Sequence, residues 1–397
     1  MTAGSTATPV TGIARIPRID AICRGTPADM GRQQGEALRD SIAGADRAVD
    51  ELEAFRLRRP AWIPYGLFRR LAEIRAARFL DRALQGQPAG DRVRGIAAGA
   101  GLPLRKLALL NALEPVLSSL ADMTEIGPPG GCTAVAVRGS RSATGEPLII
   151  RNFDYLPLVQ AFYVMRESRP LNGRRALEFT AAPLAGAVDG VNESGLCITF
   201  NYAFATDLPS PAPPISVRIS EALSTCTTVA EAAGQLQSRP RWGAGLLMLA
   251  DGSGDIAALE LSNTRSSLRR PAPGEDLIYH SNCFLTDDMR RVQIDERAVY
   301  TDRAATMVRG TRPLQSPERR DTRLAELLHG DHVLSSRDLA TVMSDHGCDG
   351  VPSADTICMH SGYWNTTASL QWYPRSRKVR VAYASACSAE HVELELS

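Results

Sequence analysis

Five consecutive residues, Gly127-Pro128-Pro129-Gly130-Gly131, divide this chain. Proline has no amide hydrogen to continue a helix and glycine loses the most backbone freedom in one, so no helix crosses the run. N-terminal to it the chain reads as helical up to residue 131, after a small, polar stretch at residues 1–10 that is expected to be a mobile tail. Good helix formers fill residues 28–57. Leu104, Leu107, Leu110, Leu113, Leu117 and Leu120 recur every three or four positions, the stripe of an amphipathic helix. C-terminal to the run the period changes to two. Residues 132–137 and 147–150 read as strands joined at Ser142-Ala143-Thr144-Gly145. Residues 188–201 read as a hairpin turning at Asn192-Glu193-Ser194-Gly195, and 245–249 with 256–261 as another around Asp251-Gly252-Ser253-Gly254. Helices are expected over 217–224, 229–237, 322–328 and 336–343, and strands over 368–373 and 379–384. Hairpins and helices in separate blocks predict an α+β chain of antiparallel sheets layered with helices. The division is a helical N-terminal segment, 1–131, and a sheet domain, 132–397.

Composition narrows the function. Lys+Arg is 45 and Asp+Glu is 44, so the basic excess of a nucleic-acid binder is absent. Hydrophobic residues are 44% and charged residues 22%, as in soluble globular proteins. The apolar runs are far shorter than the ~18–20 residues that a membrane-spanning helix needs. The eight cysteines show no repeated spacing, which argues against a disulfide scaffold, and the first residues lack the pattern of a secretory signal. A cytoplasmic chain with reduced thiols is expected, with neither nucleic acid nor membrane as partner.

The junction itself carries chemistry. A thiol that opens a strand directly after glycine can attack the preceding carbonyl, because glycine tolerates the strained backbone this requires. The resulting thioester opens in water and leaves Cys132 with a free α-amine. That amine, with an ordinary pKa of ~7.7–8.0, can serve as base for its own thiol, and no catalytic histidine is needed.

Downstream come Arg151-Asn152-Phe153-Asp154, Gly190-Val191-Asn192-Glu193-Ser194-Gly195 with Asn201, His280-Ser281-Asn282-Cys283-Phe284, Ser344-Asp345-His346 and Cys358-Met359-His360, with Gly31-Arg32-Gln33-Gln34-Gly35 upstream. In this order the sequence resembles the acyl-coenzyme A:6-aminopenicillanic acid acyltransferase family and, more distantly, the choloylglycine hydrolases. Both are N-terminal nucleophile (Ntn) hydrolases. The resemblance implies a four-layer αββα sandwich, a nucleophile at Cys132 and self-cleavage at Gly131–Cys132. It implies that Asp154 holds the α-amine and that Arg151 polarises the site and draws the thiol towards thiolate; an ordinary Arg–Asp ion pair is the other reading. Asn282 matches the oxyanion donor, and Arg303 a late arginine of the site, or else a solvated helix residue. Asn201 matches a polar position at the substrate site, or else makes a cross-strand bond. Where family members usually carry His-x-Asn-His-Phe, this chain has Cys283 in place of the second histidine.

The expected substrate is a small N-acyl compound, with an acyl thioester as a further donor and no cofactor. Phe153, Tyr155, Phe162 and Phe200 suit an apolar or aromatic acyl group. Processing would leave an αβ heterodimer made from one precursor. The alternative is an uncleaved, non-catalytic relative that acts as a binding module. His346, Cys348, Cys358 and His360 have the composition of a zinc site, but their one-residue gaps are not those of zinc knuckles, and a packing role without metal is expected. Asp-Gly-Ser-Gly around Ser253 is a turn and not a nucleophile elbow.

Overall fold

The structure is a computed structural model and describes residues 15–120, 123–126, 130–207 and 211–397. The expected tail and Gly127-Pro128-Pro129 lie outside the described residues. Strand β1 (Ile19–Gly25) comes before the helices, where a purely helical segment was expected. Beyond the break, β2 (Gly130–Val137) and β3 (Leu148–Tyr155) form a hairpin. Strands β4 (Tyr163–Pro170), β5 (Ala176–Ala181), β6 (Asp189–Asn192) and β7 (Cys197–Tyr202) follow as a meander. It continues through β8 (Gly245–Ala250), β9 (Ile256–Leu261) and β10 (Ser266–Arg269). Last come β11 (Leu277–His280), β12 (Asn365–Tyr373), β13 (Lys378–Ala382) and β14 (Val392–Glu395).

These strands make two sheets, one of eight strands in the order β1-β4-β5-β6-β7-β8-β9-β10 and one of six in the order β11-β2-β3-β12-β13-β14. All pairs are antiparallel except β1 with β4. Alternation along each strand gives each sheet two buried faces. Ala134, Ala136 and Ile149 of the six-stranded sheet meet Met165, Leu177, Phe179 and Met248 of the other between the two sheets. The outer face of the eight-stranded sheet carries Ile198, Leu247 and Leu259 against helices Ile215–Thr225 and Val229–Ser238. The outer face of the six-stranded sheet carries Val135, Val137 and Ile150 against helices Gln315–Leu327 and Ser336–Met343. The layers are therefore helix, sheet, sheet, helix, the αββα sandwich. No helix among the described residues is long and apolar enough to cross a membrane.

The N-terminal helices pack against β1 and β4 of the eight-stranded sheet, through Ala21, Cys23 and Val164. Helices Pro27–Ala37 and Pro88–Ala100 touch backbone to backbone through glycines. A Cβ on Gly31 would stand 2.2 Å from the Arg92 carbonyl oxygen, and one on Gly99 would stand 2.1 Å from that of Arg32. Gln34 between them is buried, and its amide donates to the carbonyls of Ala182 and Leu184 at 2.9 and 3.0 Å. The Gly-Arg-Gln-Gln-Gly motif is thus a packing device. The leucine stripe of residues 104–120 is two helices, Leu104–Asn111 and Leu113–Ser118, because Pro115 lacks the amide hydrogen that would continue the first.

Candidate active site

Cys132 sits where a strand ladder runs out. The register pairs His280 of β11 with Ala134 of β2, and two more residues each way would set position 282 opposite Cys132. β11 ends at His280, and side chains take over the pairing. The Cys132 N–H donates to Asn282 Oδ1 at 2.8 Å, and the Cys132 carbonyl accepts from Arg320 Nη1 at 2.7 Å. Arg320, on helix Gln315–Leu327, also donates to Thr133 Oγ1 at 2.9 Å and to Asn282 Oδ1 at 2.8 Å. A Cβ on Gly131 would meet Met359 Cε at 3.1 Å and Arg320 Nη2 at 3.2 Å, so the residue before the cysteine is held in a close slot.

Alternation along β2 and β3 sorts the remaining groups. Cys132, Arg151 and Phe153 share the face between the sheets. Arg151 Nη2 donates to Cys132 Sγ at 3.2 Å, Nε to Asn201 Oδ1 at 3.0 Å, and Nη1 to both carboxylate oxygens of Asp189 at 2.8 Å. A further bond runs from Nη2 to the Phe200 carbonyl. Asp154, three residues along β3, faces the other way. Its Oδ1 accepts from Thr366 Oγ1 at 2.6 Å, and its Oδ2 is buried without a hydrogen-bond partner, 3.8 Å from Arg320 Nη1. Arg151 and Asp154 therefore do not pair with each other, and Arg151 is neutralised by Asp189 instead. Burial pushes the Asp154 carboxyl up to about 6, against the pull of Arg320 and Thr366. Burial likewise pushes the Cys132 thiol up, and Arg151 offsets only part of that, so the expected drift towards thiolate is not the net effect in the intact chain.

Cys132 opens on a cavity of about 300 Å³ between the sheets and the N-terminal helices. Phe153, Tyr155, Phe162 and Phe200, the four aromatics singled out from the sequence, all line it. Phe153 stacks on Tyr155 with ring centroids 5.3 Å apart, and the Arg151 guanidinium lies 4.7 Å from the Phe153 centroid. Glu114 lines the same cavity, and burial pushes its carboxyl up to about 7. A second cavity, of about 160 Å³, is lined by Gly131, Asn282, Arg320 and Met359. Tyr363 borders both cavities.

The structure takes the second of the two readings at Arg303 and Asn201, and it changes what was expected of Asn282 and Cys348. Arg303 is 61% exposed and pairs with Glu125, so it does not belong to the Cys132 group; Arg320 is the late arginine there. Asn201 is buried, with one end on Arg151 and the other donating to the Ser281 carbonyl at 3.0 Å; it ties the two sheets together and does not line the cavity. Asn282 reaches Cys132, but as an acceptor. Its Nδ2 is spent on the Tyr202 carbonyl at 2.7 Å and not turned towards an oxyanion. Cys348 turns to Arg323 Nη1 at 3.4 Å, away from the histidines it was grouped with. Cys283, where the family has histidine, is buried in an apolar cluster with Phe204, Ile294 and Leu314. Asp189, Arg320, Thr366 and Glu114 were not singled out from the sequence. Arg320 had a signal: with Leu324 and Leu328 it forms a stripe at intervals of four.

Residues 141–338 match the sequence profile of the family Acyl-coenzyme A:6-aminopenicillanic acid acyl-transferase. No curated protein matches the chain. Among solved structures, the chain is similar to a Caenorhabditis elegans ortholog of N-acylethanolamine-hydrolyzing acid amidase, at 12% identity and a TM-score of 0.42, covering 62% of this chain and 93% of that one. It is also similar to penicillin V acylase from Agrobacterium tumefaciens, at 14% identity and a TM-score of 0.39, covering 67% and 86%. A mutant of the conjugated bile acid hydrolase from Clostridium perfringens matches at 11% identity and a TM-score of 0.36, covering 66% and 96%.

Proposed function

We propose that this chain, residues 141–338 of which match the profile of the acyl-coenzyme A:6-aminopenicillanic acid acyl-transferase family, is a cysteine amidohydrolase or acyltransferase that first cuts itself between Gly131 and Cys132. Its substrate is a small N-acyl amide with an apolar acyl group. The observation that carries this reading is the placing of one buried thiol on the wall of an apolar cavity, with its own amide nitrogen held by the Asn282 side chain at 2.8 Å.

In the first step Cys132 Sγ attacks the Gly131 carbonyl carbon. The bond from that carbon to the Cys132 nitrogen breaks, and the nitrogen takes the thiol proton. Water then opens the thioester, leaving a carboxylate on Gly131 and a thiol on Cys132. The α-amine so formed keeps Asn282 Oδ1 as the acceptor for one N–H, which orients its lone pair towards Sγ. The partnerless Oδ2 of Asp154 is an acceptor left over beside the same junction, ready for a proton or an ammonium.

In the second reaction the α-amine takes the Sγ proton and Sγ bonds to the substrate's acyl carbon. The departing amine leaves with that proton. Water, or a second amine, then collects the acyl group. Arg151, fixed by Asp189, supplies a positive charge 3.2 Å from sulfur that favours the thiolate at the moment of attack. The larger cavity, walled by Phe153, Tyr155 and Phe162, suits the acyl group, and the smaller one beside Asn282 suits the amine.

The test is denaturing intact mass of wild type beside Cys132→Ala, followed by hydrolysis of acetyl, octanoyl and phenylacetyl amides. Expected are two wild-type fragments, one ending at Gly131 and one beginning at Cys132, an uncut variant, and faster release of the larger acyl groups. An uncut wild-type chain without turnover would replace this reading with that of a binding module. A preference for acetyl would remove the apolar acyl pocket.

A further inference from the structure

Away from the Cys132 group, four soft or borderline ligands converge from three separate segments. His346 follows helix Ser336–Met343, Cys358 and His360 precede β12, and Cys387 lies in the short turn after β13. One donor atom from each falls within 4.8 Å of every other. We propose that these four residues bind one zinc ion as a closed, structural Cys₂His₂ site.

The geometry is specific. In a tetrahedral site with Zn–S near 2.3 Å and Zn–N near 2.0–2.1 Å, a sulfur and a nitrogen ligand stand roughly 3.5 Å apart. Cys358 Sγ and Cys387 Sγ lie 3.4 and 3.5 Å from the same His360 Nε2. The His346 ring is nearly perpendicular to that of His360, with centroids 5.2 Å apart. Its Nε2 is buried and has no hydrogen-bond partner, so the ring carries a nitrogen that no protein group satisfies. Two thiolates neutralise the divalent ion, and a mixed sulfur and imidazole set of tetrahedral shape selects zinc over harder cations. With all four positions supplied by protein there is no open position for substrate, which makes the ion a brace and not a catalyst. The sequence hides the set because the ligand that completes it is Cys387 and not Cys348.

The brace would act on the residues around the junction. Met359 lies between two of the ligands and packs on Gly131. Its N–H donates to Thr366 Oγ1 at 2.8 Å, and that hydroxyl donates to Asp154.

The experiment is metal analysis of full-length protein purified without chelator or thiol reductant, before and after equilibration with zinc chloride and desalting. One zinc per chain is expected, with an X-ray absorption shell of two sulfurs and two nitrogens. Cobalt substitution should add a thiolate charge-transfer band. Cys387→Ser and His346→Ala should lower zinc retention at least tenfold, while Cys348→Ser leaves it unchanged. Absence of stoichiometric metal in zinc-equilibrated wild type overturns the proposal, whether or not the variants fold. So does a Cys358–Cys387 disulfide that persists under zinc, or an absorption shell without sulfur.

Discussion

Two buried arginines in this molecule face the same physical problem and solve it differently. Arg166 and Arg151 are both fully buried, and both are paired with a buried carboxylate, Glu178 and Asp189 respectively. Around Arg166 every donor ends on a protein oxygen: Glu178 at 2.9 Å, Gln34 at 2.8 Å and the carbonyls of Leu184, Ala185 and Gly186. Burial alone would push the Glu178 carboxyl up, but Arg166, Arg92 and the hydroxyls of Ser168 and Ser220 hold it below the usual range. Around Arg151 the same closure is nearly reached, except that Nη2 turns to a sulfur on a cavity wall. A buried ion pair is weak evidence of function. What separates the two centres is the destination of one N–H.

That contrast can be broken from both sides. Arg166→Met would leave the buried Glu178 carboxylate without its ion-pair partner, held only by Arg92 and the hydroxyls of Ser168 and Ser220, and should cost ~3–5 kcal/mol in denaturant unfolding or abolish soluble protein. A near-wild-type midpoint would mean that Arg166 is not the keystone of its cluster. Arg151→Lys keeps the charge on Asp189 but loses the fork that reaches sulfur. It should fold with a small stability change, while self-cleavage and turnover fall by roughly 10²-fold. Wild-type processing in that variant would make Arg151 a structural residue like its counterpart.

Asn282→Ala removes the acceptor on the Cys132 nitrogen and should lower kcat roughly 10–100-fold with little change in KM; Asn282→Asp, which keeps an acceptor, should recover part of it. Equal loss in both variants would return the role to the Nδ2 donor. The remaining variant changes Glu114, and its readout is stability, not catalysis. Its carboxyl is raised from 4.5 to about 7, so its contribution to stability is full below pH 4.5 and lost as pH rises through about 7. Glu114→Gln should remove most of that pH-dependent change in stability, at most about 3 kcal/mol at about 1.4 kcal/mol for each pH unit between the two values, read from melting temperatures between pH 4.5 and 8. An unaltered slope would assign the pH dependence to other buried carboxyls such as Asp154 and Asp321, both raised by burial to about 6.

The hairpins β2/β3, β6/β7 and β8/β9 were legible because turn residues bracket alternating runs, and the face of Asn201 followed from that alternation. β4 and β5 were not, because Arg166, Glu167 and Glu178 stand where a central strand should read apolar; only tertiary pairing makes them interior residues. Cys132 and its neighbours Arg151, Asp154 and Asn282 were legible as motifs, but their bonds were not. Nothing local tells Arg151 to choose Asp189, on the facing sheet, over Asp154 on its own strand. Arg320 was masked by its neighbours Glu318, Arg319 and Asp321, which make the helix look solvated unless the stripe through Leu324 and Leu328 is followed. β1 was missed because seven residues at a sheet edge carry too little pattern to outweigh the helices that follow.

That edge strand has a consequence for how a processed molecule would behave. β1 lies before the Gly131–Cys132 junction and its partner β4 lies after it, joined in parallel from Ile19 to Gly25. Cutting the junction would therefore not release anything: the leading fragment would remain woven into the sheet and would still wall the cavity. The uncut chain finds its fold as one polymer, at a rate independent of protein concentration. The cut one, once unfolded, would have to find it as two, with a second-order search and no covalent tether to set the local concentration. A single hydrolytic event would leave a molecule whose native state survives by slow unfolding and not by easy return.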